Sequence, residues 1–385
     1  MIKKVTNKLR HLLSKAKSKD ILKNVFATDF DKNVLISYLQ APFIKGINYR
    51  HTNVTECYTA AEIFSALGYN VDVIEYNNNA KVNFSSYQVV YGQAYPFEKS
   101  FFAVNANSKR ILYGTGNSHY YFVKVSGKVV YDFYKKTGIM VPESARVDNS
   151  YSFLPYTCSD AIIALGNQFC KNTYLEINPA LNCYNLDAFY FDTYDIDVSK
   201  KDFSVPQKHF LWFGSGGLLY KGLGLCIDLF SRRKDIVLHI CGAGKNEKAF
   251  WEYYQPMVDK AENIIEHGFV DINSDAFKAI MDTCVFTLFP SVSEGGSPSL
   301  LNVMANGALI PIAARACTVD IDDFGFVLEE VNEQTVEKAI DKALQLTKNE
   351  LAEKAQLAKE TTRLNYTLDK YKQNLRIIIE DILSK

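Results

Sequence analysis

The chain has 385 residues, 48% of them hydrophobic, with 43 basic and 43 acidic side chains. That length suits about two ordinary domains, and the zero formal net charge argues against general nucleic-acid binding. Eight scattered cysteines form no C-x-x-C pair, so they read as small buried hydrophobes in a reducing, cytoplasmic setting and exclude a disulfide framework or zinc ribbon. No run of about 20 apolar residues exists, so no spanning helix is expected. The basic start lacks the apolar stretch of a secretory signal.

Residues 1–24 form a first segment. Lys3, Lys4, Lys8, Arg10, Lys15, Lys17 and Lys19 stand against Asp20 alone, while Ile2, Val5, Leu9, Leu12, Leu13 and Ala16 recur at helical spacing. Two readings stay open. One is an amphipathic helix on an anionic membrane surface, which would place the protein at the inner face of the membrane. The other is a solvated basic helix or a frayed terminus.

The next segment, 25–195, alternates strands and helices. Strands are expected at Asn33–Leu39, Val71–Tyr76, Tyr87–Tyr91, Arg110–Tyr113, Ala161–Leu165 and Leu175–Asn178. Asn53 and Glu56 together read as a helix start, and Val54, Cys57, Tyr58, Ala61 and Phe64 continue that helix to Gly68. The pattern predicts a doubly wound α/β domain. Two of its loops hold candidate site residues. One carries Arg50 and His51, which suit a phosphate. The other ends in His119, either a cleft histidine or a structural one beside Tyr120 and Tyr121. No G-x-G-x-x-G lies between Leu39 and Glu56, which counts against an NAD-dependent oxidoreductase.

Polar texture around 192–207 marks a boundary, and a second series of strands fills 196–365. Phe210–Phe213 is followed by Gly214-Ser215-Gly216-Gly217 and by Lys221-Gly222, where a helix begins. Strand, glycines and helix in that order suit phosphate binding, and Lys221 offers a point charge; an ordinary tight turn is the plain alternative. Ile236–Cys241 leads into Gly242-Ala243-Gly244. Ile264–His267, Cys284–Phe289 and Leu309–Ile312 continue the sheet, with helices near Ala276–Met281, Thr335–Leu346 and Glu350–Thr362. His267 reads as structural. The segment 366–385 repeats Leu368, Tyr371, Leu375, Ile378, Ile379 and Ile382 on one helix face.

The stretch from Phe289 to Gly307 is the most informative. Between two apolar runs lie Glu294-Gly295-Gly296, then Ser297 as an expected N-cap and Pro298 as the first helical residue. Backbone N–H groups converge at such a start. A carboxylate there repels phosphate but accepts hydrogen bonds from hydroxyls, as on a sugar. Asn302 follows about 7–8 Å along the helix, which fits a sugar joined to a nucleotide through phosphates.

These residues resemble the Glu-x7-Glu segment of the retaining GT-B glycosyltransferases of family 4, with Glu294 at the first Glu and Asn302 at the second. The Gly214–Gly222 segment is similar to that family's Gly-Arg-Leu and Lys-Gly pattern, except that Ser215 stands at the Arg. Gly242 resembles its nucleotide-side loop, and Val270-Asp271 its loop near the base. The resemblance implies two Rossmann-like domains facing a cleft, with the C-terminal helix crossing back to the first. It implies a nucleotide-sugar donor, a glycan or glycolipid acceptor held by the first domain, retention of configuration, and neither a cofactor nor a bound metal. On that reading Gly214, Ser215, Gly216, Lys221, Gly242, Glu294, Gly295, Gly296, Ser297 and Asn302 bind the donor. Arg50 and His51 meet the acceptor, and Glu294, Lys221 and His119 carry the chemistry. The competing expectation is a non-catalytic GT-B protein that binds a sugar nucleotide or a partner, favoured by Ser215 and Asn302.

Overall fold

The computed structural model describes residues 21–47, 51–103, 107–146, 153–204 and 208–385. Residues 1–20 of the basic segment, and Arg50, therefore lie outside the described residues. Seven of the cysteines are buried, Cys158 is exposed, and none is paired. Among the described residues no helix is long and apolar enough to cross a membrane.

Among the described residues, twelve strands form two parallel sheets of six. The first contains β1 (Lys32–Tyr38), β2 (Tyr69–Glu75), β3 (Val89–Gly92), β4 (Lys109–Gly114), β5 (Ala161–Leu165) and β6 (Cys183–Leu186), in the order β2-β1-β3-β4-β5-β6. The second contains β7 (Lys208–Phe213), β8 (Ile236–Cys241), β9 (Ile264–Gly268), β10 (Phe286–Phe289), β11 (Ile310–Ala314) and β12 (Phe326–Leu328), in the order β12-β11-β10-β7-β8-β9. Helices cover both faces, so alternate residues of one strand enter different cores. Val34, Ile36 and Tyr38 of β1 face one apolar cluster and Leu35 the other. Phe210 and Trp212 of β7 are likewise separated from Leu211. Burial on both sides is why these strands read as continuous apolar runs.

Each sheet reverses direction of growth once, between β1 and β3 in the first and between β7 and β10 in the second. Strand ends at such a reversal leave a crevice, because the connections leave to opposite sides. The loops after β7 and β10 carry Lys221 and Glu294.

The final helix, Leu368–Ser384, crosses back to the first sheet. Tyr371, Leu375, Ile379 and Ile382 are buried. The Tyr371 hydroxyl lies 3.0 Å from that of Tyr113, Lys109 Nζ donates to the Ile382 carbonyl at 2.8 Å, and the Tyr184 hydroxyl donates to Asp381.

Two expectations need correction, and one strand was not expected. Leu175 ends the helix Gln168–Leu175, and the sixth strand is Cys183–Leu186 instead. The apolar Leu175 and its neighbour Tyr174 pack into the small cluster behind the first sheet, which mimics a strand signal. The helix Thr52–Ala66 is capped by His51, whose side chain accepts from Asn53 N–H, so Asn53 and Glu56 are not its capping pair. Glu56 turns inward, where it accepts from the hydroxyls of Tyr38 (3.0 Å) and Tyr113 (3.1 Å). The short edge strand β12 carries too few residues to show a period.

His209, His239 and His267 sit on neighbouring strands and form a ladder: Nδ1 of His209 lies 2.8 Å from Nε2 of His239, and Nδ1 of His239 lies 2.8 Å from Nε2 of His267. Burial, then His267 and His209, push the His239 imidazole from 6.5 down to about 4. His267 is the outer member of that ladder, stacked on His239. A depressed folded pKa means the unfolded chain takes up protons first as pH falls. The urea midpoint should therefore drop between pH 6.5 and about 4, and His239→Phe should flatten part of that slope. An unchanged slope in the variant would show that the ladder does not titrate on unfolding.

Candidate functional site

A cleft of about 480 Å³ opens where the reversal points of the two sheets face each other. Tyr38, Leu39, His51, Glu56, Gln93, Thr115 and Arg146 line it from the first half; Gly214, Ser215, Lys221, Gly242, Glu294, Gly295 and Asn302 line it from the second.

Its central contact is an ion pair. Lys221 Nζ donates to Glu294 Oε1 at 2.5 Å, and the two side chains are only 10% and 12% exposed. Burial raises the Glu294 pKa, but Lys221 and then Arg146 outweigh it and hold the carboxylate below its ordinary range. Lys221 reaches the pair through a compact turn: Lys221 N–H donates to Gly217 O at 2.8 Å, and the helix Leu223–Phe230 starts only after Gly222. The ammonium has three donors and gives one to Glu294.

The loop after β10 presses on the first half. A Cβ on Gly295 would come within 2.0 Å of the Thr115 carbonyl oxygen. Asn117 stitches the same seam, its Nδ2 donating to Ser293 Oγ at 3.0 Å and to Ala316 O at 3.1 Å. On the other side, Gly242 has φ of 83°, and a Cβ there would meet the Gly214 carbonyl oxygen at 2.0 Å. Gly214 N–H in turn donates to Cys241 O at 3.1 Å. Only glycine lets these two strand ends touch.

Several expected site residues are placed differently. Gly296 N–H is spent on Thr318 Oγ1 at 2.7 Å, and the Ser297 hydroxyl on Cys317 O at 2.7 Å. Ser297 does occupy the N-cap position, with Pro298 next, but in left-handed conformation and without a side-chain cap. The open set of amides expected there is thus partly closed by residues 316–318. Gly216 is not in the cleft wall; its carbonyl accepts from Arg146. The following amides, Gly217 and Leu218, are capped by the Glu247 carboxylate at 2.6 and 3.0 Å. An internal carboxylate therefore fills the part of the loop that resembled a phosphate cradle. His119 is also corrected: it is absent from the cleft wall, opens the helix His119–Thr137, and stacks on Phe122 and Tyr156.

Asn302 lines the cleft with a divided role. Its Oδ1 accepts from Phe191 N–H at 2.8 Å, which leaves the Nδ2 amide as the group a ligand hydroxyl would meet. One turn on, Asn306 Oδ1 accepts from Thr193 and Tyr194 N–H, and its Nδ2 donates to Phe191 O. His51 does line the cleft, its ring held neutral at higher acidity than usual by burial, then Lys221 and Arg146. Among the cleft residues that the sequence does not reveal, two stand out. Phe269, 72% exposed, stands on the wall beside Val270 and Asp271. Arg146 reaches the glycine loop from the other half. Neither lies in a motif, and only the folded contacts reveal them. Among the described residues, no group of three or more His, Cys, Asp or Glu is arranged to hold a metal ion.

No family model matches the chain, and no curated protein matches it in sequence. Solved structures do. Sucrose-phosphate synthase from Thermosynechococcus elongatus matches with a TM-score of 0.64 at 12% identity, covering 92% of this chain and 99% of that one. Anabaena HepE, solved in complex with UDP and glucose, matches with a TM-score of 0.60 at 11% identity over 91% and 99%. A glycosyltransferase from Rickettsia africae matches with a TM-score of 0.59 at 14% identity over 92% and 99%. The chain has the GT-B fold.

The Lys221–Glu294 pair has a testable energetic signature. Removing one partner of a mostly buried pair strands the other charge. A double-mutant cycle on Lys221→Ala and Glu294→Ala, read by urea unfolding, should give a coupling of about 1–3 kcal/mol. Additive effects would show that the pair is not formed in solution.

Proposed function

We propose that the protein is a retaining glycosyltransferase that moves a sugar from a nucleoside diphosphate donor to a hydroxyl of a glycan or glycolipid, in cell-surface polysaccharide synthesis. The observation that carries the proposal is the Lys221–Glu294 pair at the meeting of two strand-order reversals. HepE, which shares the fold, was solved with UDP-glucose, a ligand of this class.

The roles follow from donor and acceptor counts. Glu294 accepts from Lys221 at one oxygen and keeps lone pairs for sugar hydroxyls. Lys221 keeps two N–H donors for the diphosphate, on which negative charge grows as the bond to the anomeric carbon breaks. The exposed Ser215 hydroxyl and the Gly214 backbone flank that position. Asn302 Nδ2 donates to a ribose hydroxyl, and Phe269 offers an apolar face to the base. His51 and its neighbours on the first half face the acceptor. In this scheme the pair works as one unit, because Glu294 fixes the ammonium in place before the donor arrives.

The competing reading is a sugar-nucleotide binder without turnover. It is favoured by Glu247 on the loop amides and by Ser215 where the resemblance has Arg.

Incubating the protein with a panel of nucleoside diphosphate sugars, and following release of the diphosphate by mass spectrometry, should identify one donor that is hydrolysed or transferred. Glu294→Gln should then lower turnover about 100- to 1,000-fold, and Lys221→Ala should raise donor KM as well as lower kcat. Undiminished turnover in Glu294→Gln would remove the proposed role; tight donor binding with no turnover in the wild type would select the binder.

A further inference from the structure

We infer that Arg146, contributed by the first half of the chain, supplies the second cation of the diphosphate site that the loop after β7 lacks. The inference rests on the reading above that the cleft takes a nucleoside diphosphate.

Four observations support it. First, the guanidinium lies on the glycine loop itself. Nε and Nη2 both donate to the Gly216 carbonyl, at 3.1 and 2.8 Å, and the group sits 5.5 Å from the centre of the Tyr220 ring. A Cβ on Gly217 would come within 2.6 Å of Nε, so the absence of a side chain there is what lets the arginine lie so close. Second, the segment before it is fastened to the same loop: Tyr220 N–H donates to Ser144 O at 2.9 Å. Arg146 follows the short turn Pro142–Ala145 and holds φ of 54°, a left-handed conformation that non-glycine residues adopt at a cost.

Third, the charge is left over. A guanidinium has five N–H donors, and one neutral carbonyl takes two of them here. Among the described residues no carboxylate lies within ion-pair distance of Arg146. The neighbouring Lys221 is already matched by Glu294. The lysine–glutamate pair is electrically neutral, so the positive charge needed by a diphosphate on this wall comes from Arg146. Fourth, the group reaches the chemistry: Arg146 is among the influences lowering both Glu294 and His51, and it lines the cleft.

The arrangement has a consequence for specificity. A diphosphate held by Lys221 and Arg146 is gripped by both halves at once, so the ligand recognised is one whose phosphates bridge the cleft. A nucleoside or a monophosphate reaches only part of the clamp.

Calorimetry on the full chain with UDP, GDP, ADP and TDP, and with the matching nucleosides, tests this. The wild type should bind one diphosphate. Arg146→Gln, which keeps a donor for Gly216 but loses the charge, should weaken that diphosphate about 10- to 100-fold. It should change the affinity for the matching nucleoside by less than about twofold. Arg146→Lys should recover part of the loss, and Ser215→Arg placed in the Arg146→Ala background should restore binding by returning a cation to the same loop. A diphosphate affinity unchanged in both Arg146→Gln and Arg146→Ala, with the wild type binding normally, overturns the role of Arg146 and leaves the proposed function standing. Equal losses for diphosphate and nucleoside would make Arg146 a structural tie and overturn it too. Failure of the wild type to bind any diphosphate overturns both.

Discussion

The ion pair between Lys221 and Glu294 is the contact around which the cleft is arranged. Two charges that are this little exposed need each other, because neither is adequately hydrated alone. Their meeting requires that the turn after β7 and the loop after β10 come together. They do so because β7 and β10 are neighbours in the sheet although two strands, β8 and β9, separate them in sequence. Parallel pairing of Phe286 with Phe210 and Thr287 with Leu211 sets the register of that approach. The meeting of the two charges is thus a product of strand order.

The same logic explains why the cleft lies between the halves. In each sheet the strands on either side of the reversal send their connections apart, and the two gaps face one another. Backbone meets backbone along the seam, with Gly295 against Thr115, and again within the second half, with Gly242 against Gly214. Close approach of this kind leaves no room for side chains at those points. Glu247 shows how the walls are kept in shape: its carboxylate takes up the amides of Gly217 and Leu218, which would otherwise lack partners in a buried turn.

Much of this was legible in the amino-acid sequence. Strands buried on both faces announce themselves as apolar runs, so ten of the pairing segments were expected close to where they lie, and the Glu294 loop stood out by its glycines and its place between two such runs. The failures have physical reasons. Leu175 belongs to a helix whose apolar side feeds a small core, so a few residues of it imitate a strand. Glu56 has the spacing of a cap but is drawn inward by two tyrosine hydroxyls from β1 and β4. Ser297 and Gly296 were read as facing a ligand because local sequence shows which amides a helix start leaves over, but not that Thr318 and Cys317 come from a later turn to claim them. Arg146 is the clearest case. It lies 70 residues from Gly216, in a stretch with no motif, and its meaning appears only when the fold brings the two halves into contact.

The pairing of Asn302 with Asn306 carries a mechanical consequence. These amides, one turn apart, lace the stretch 191–194 to the helix Pro298–Gly307 as the chain passes from one sheet to the other. A passage fastened at that point has no slack. Any swing of one half would pull on the very helix that lines the cleft, so the tether and that wall would move together, with Asn302 at the point where they join.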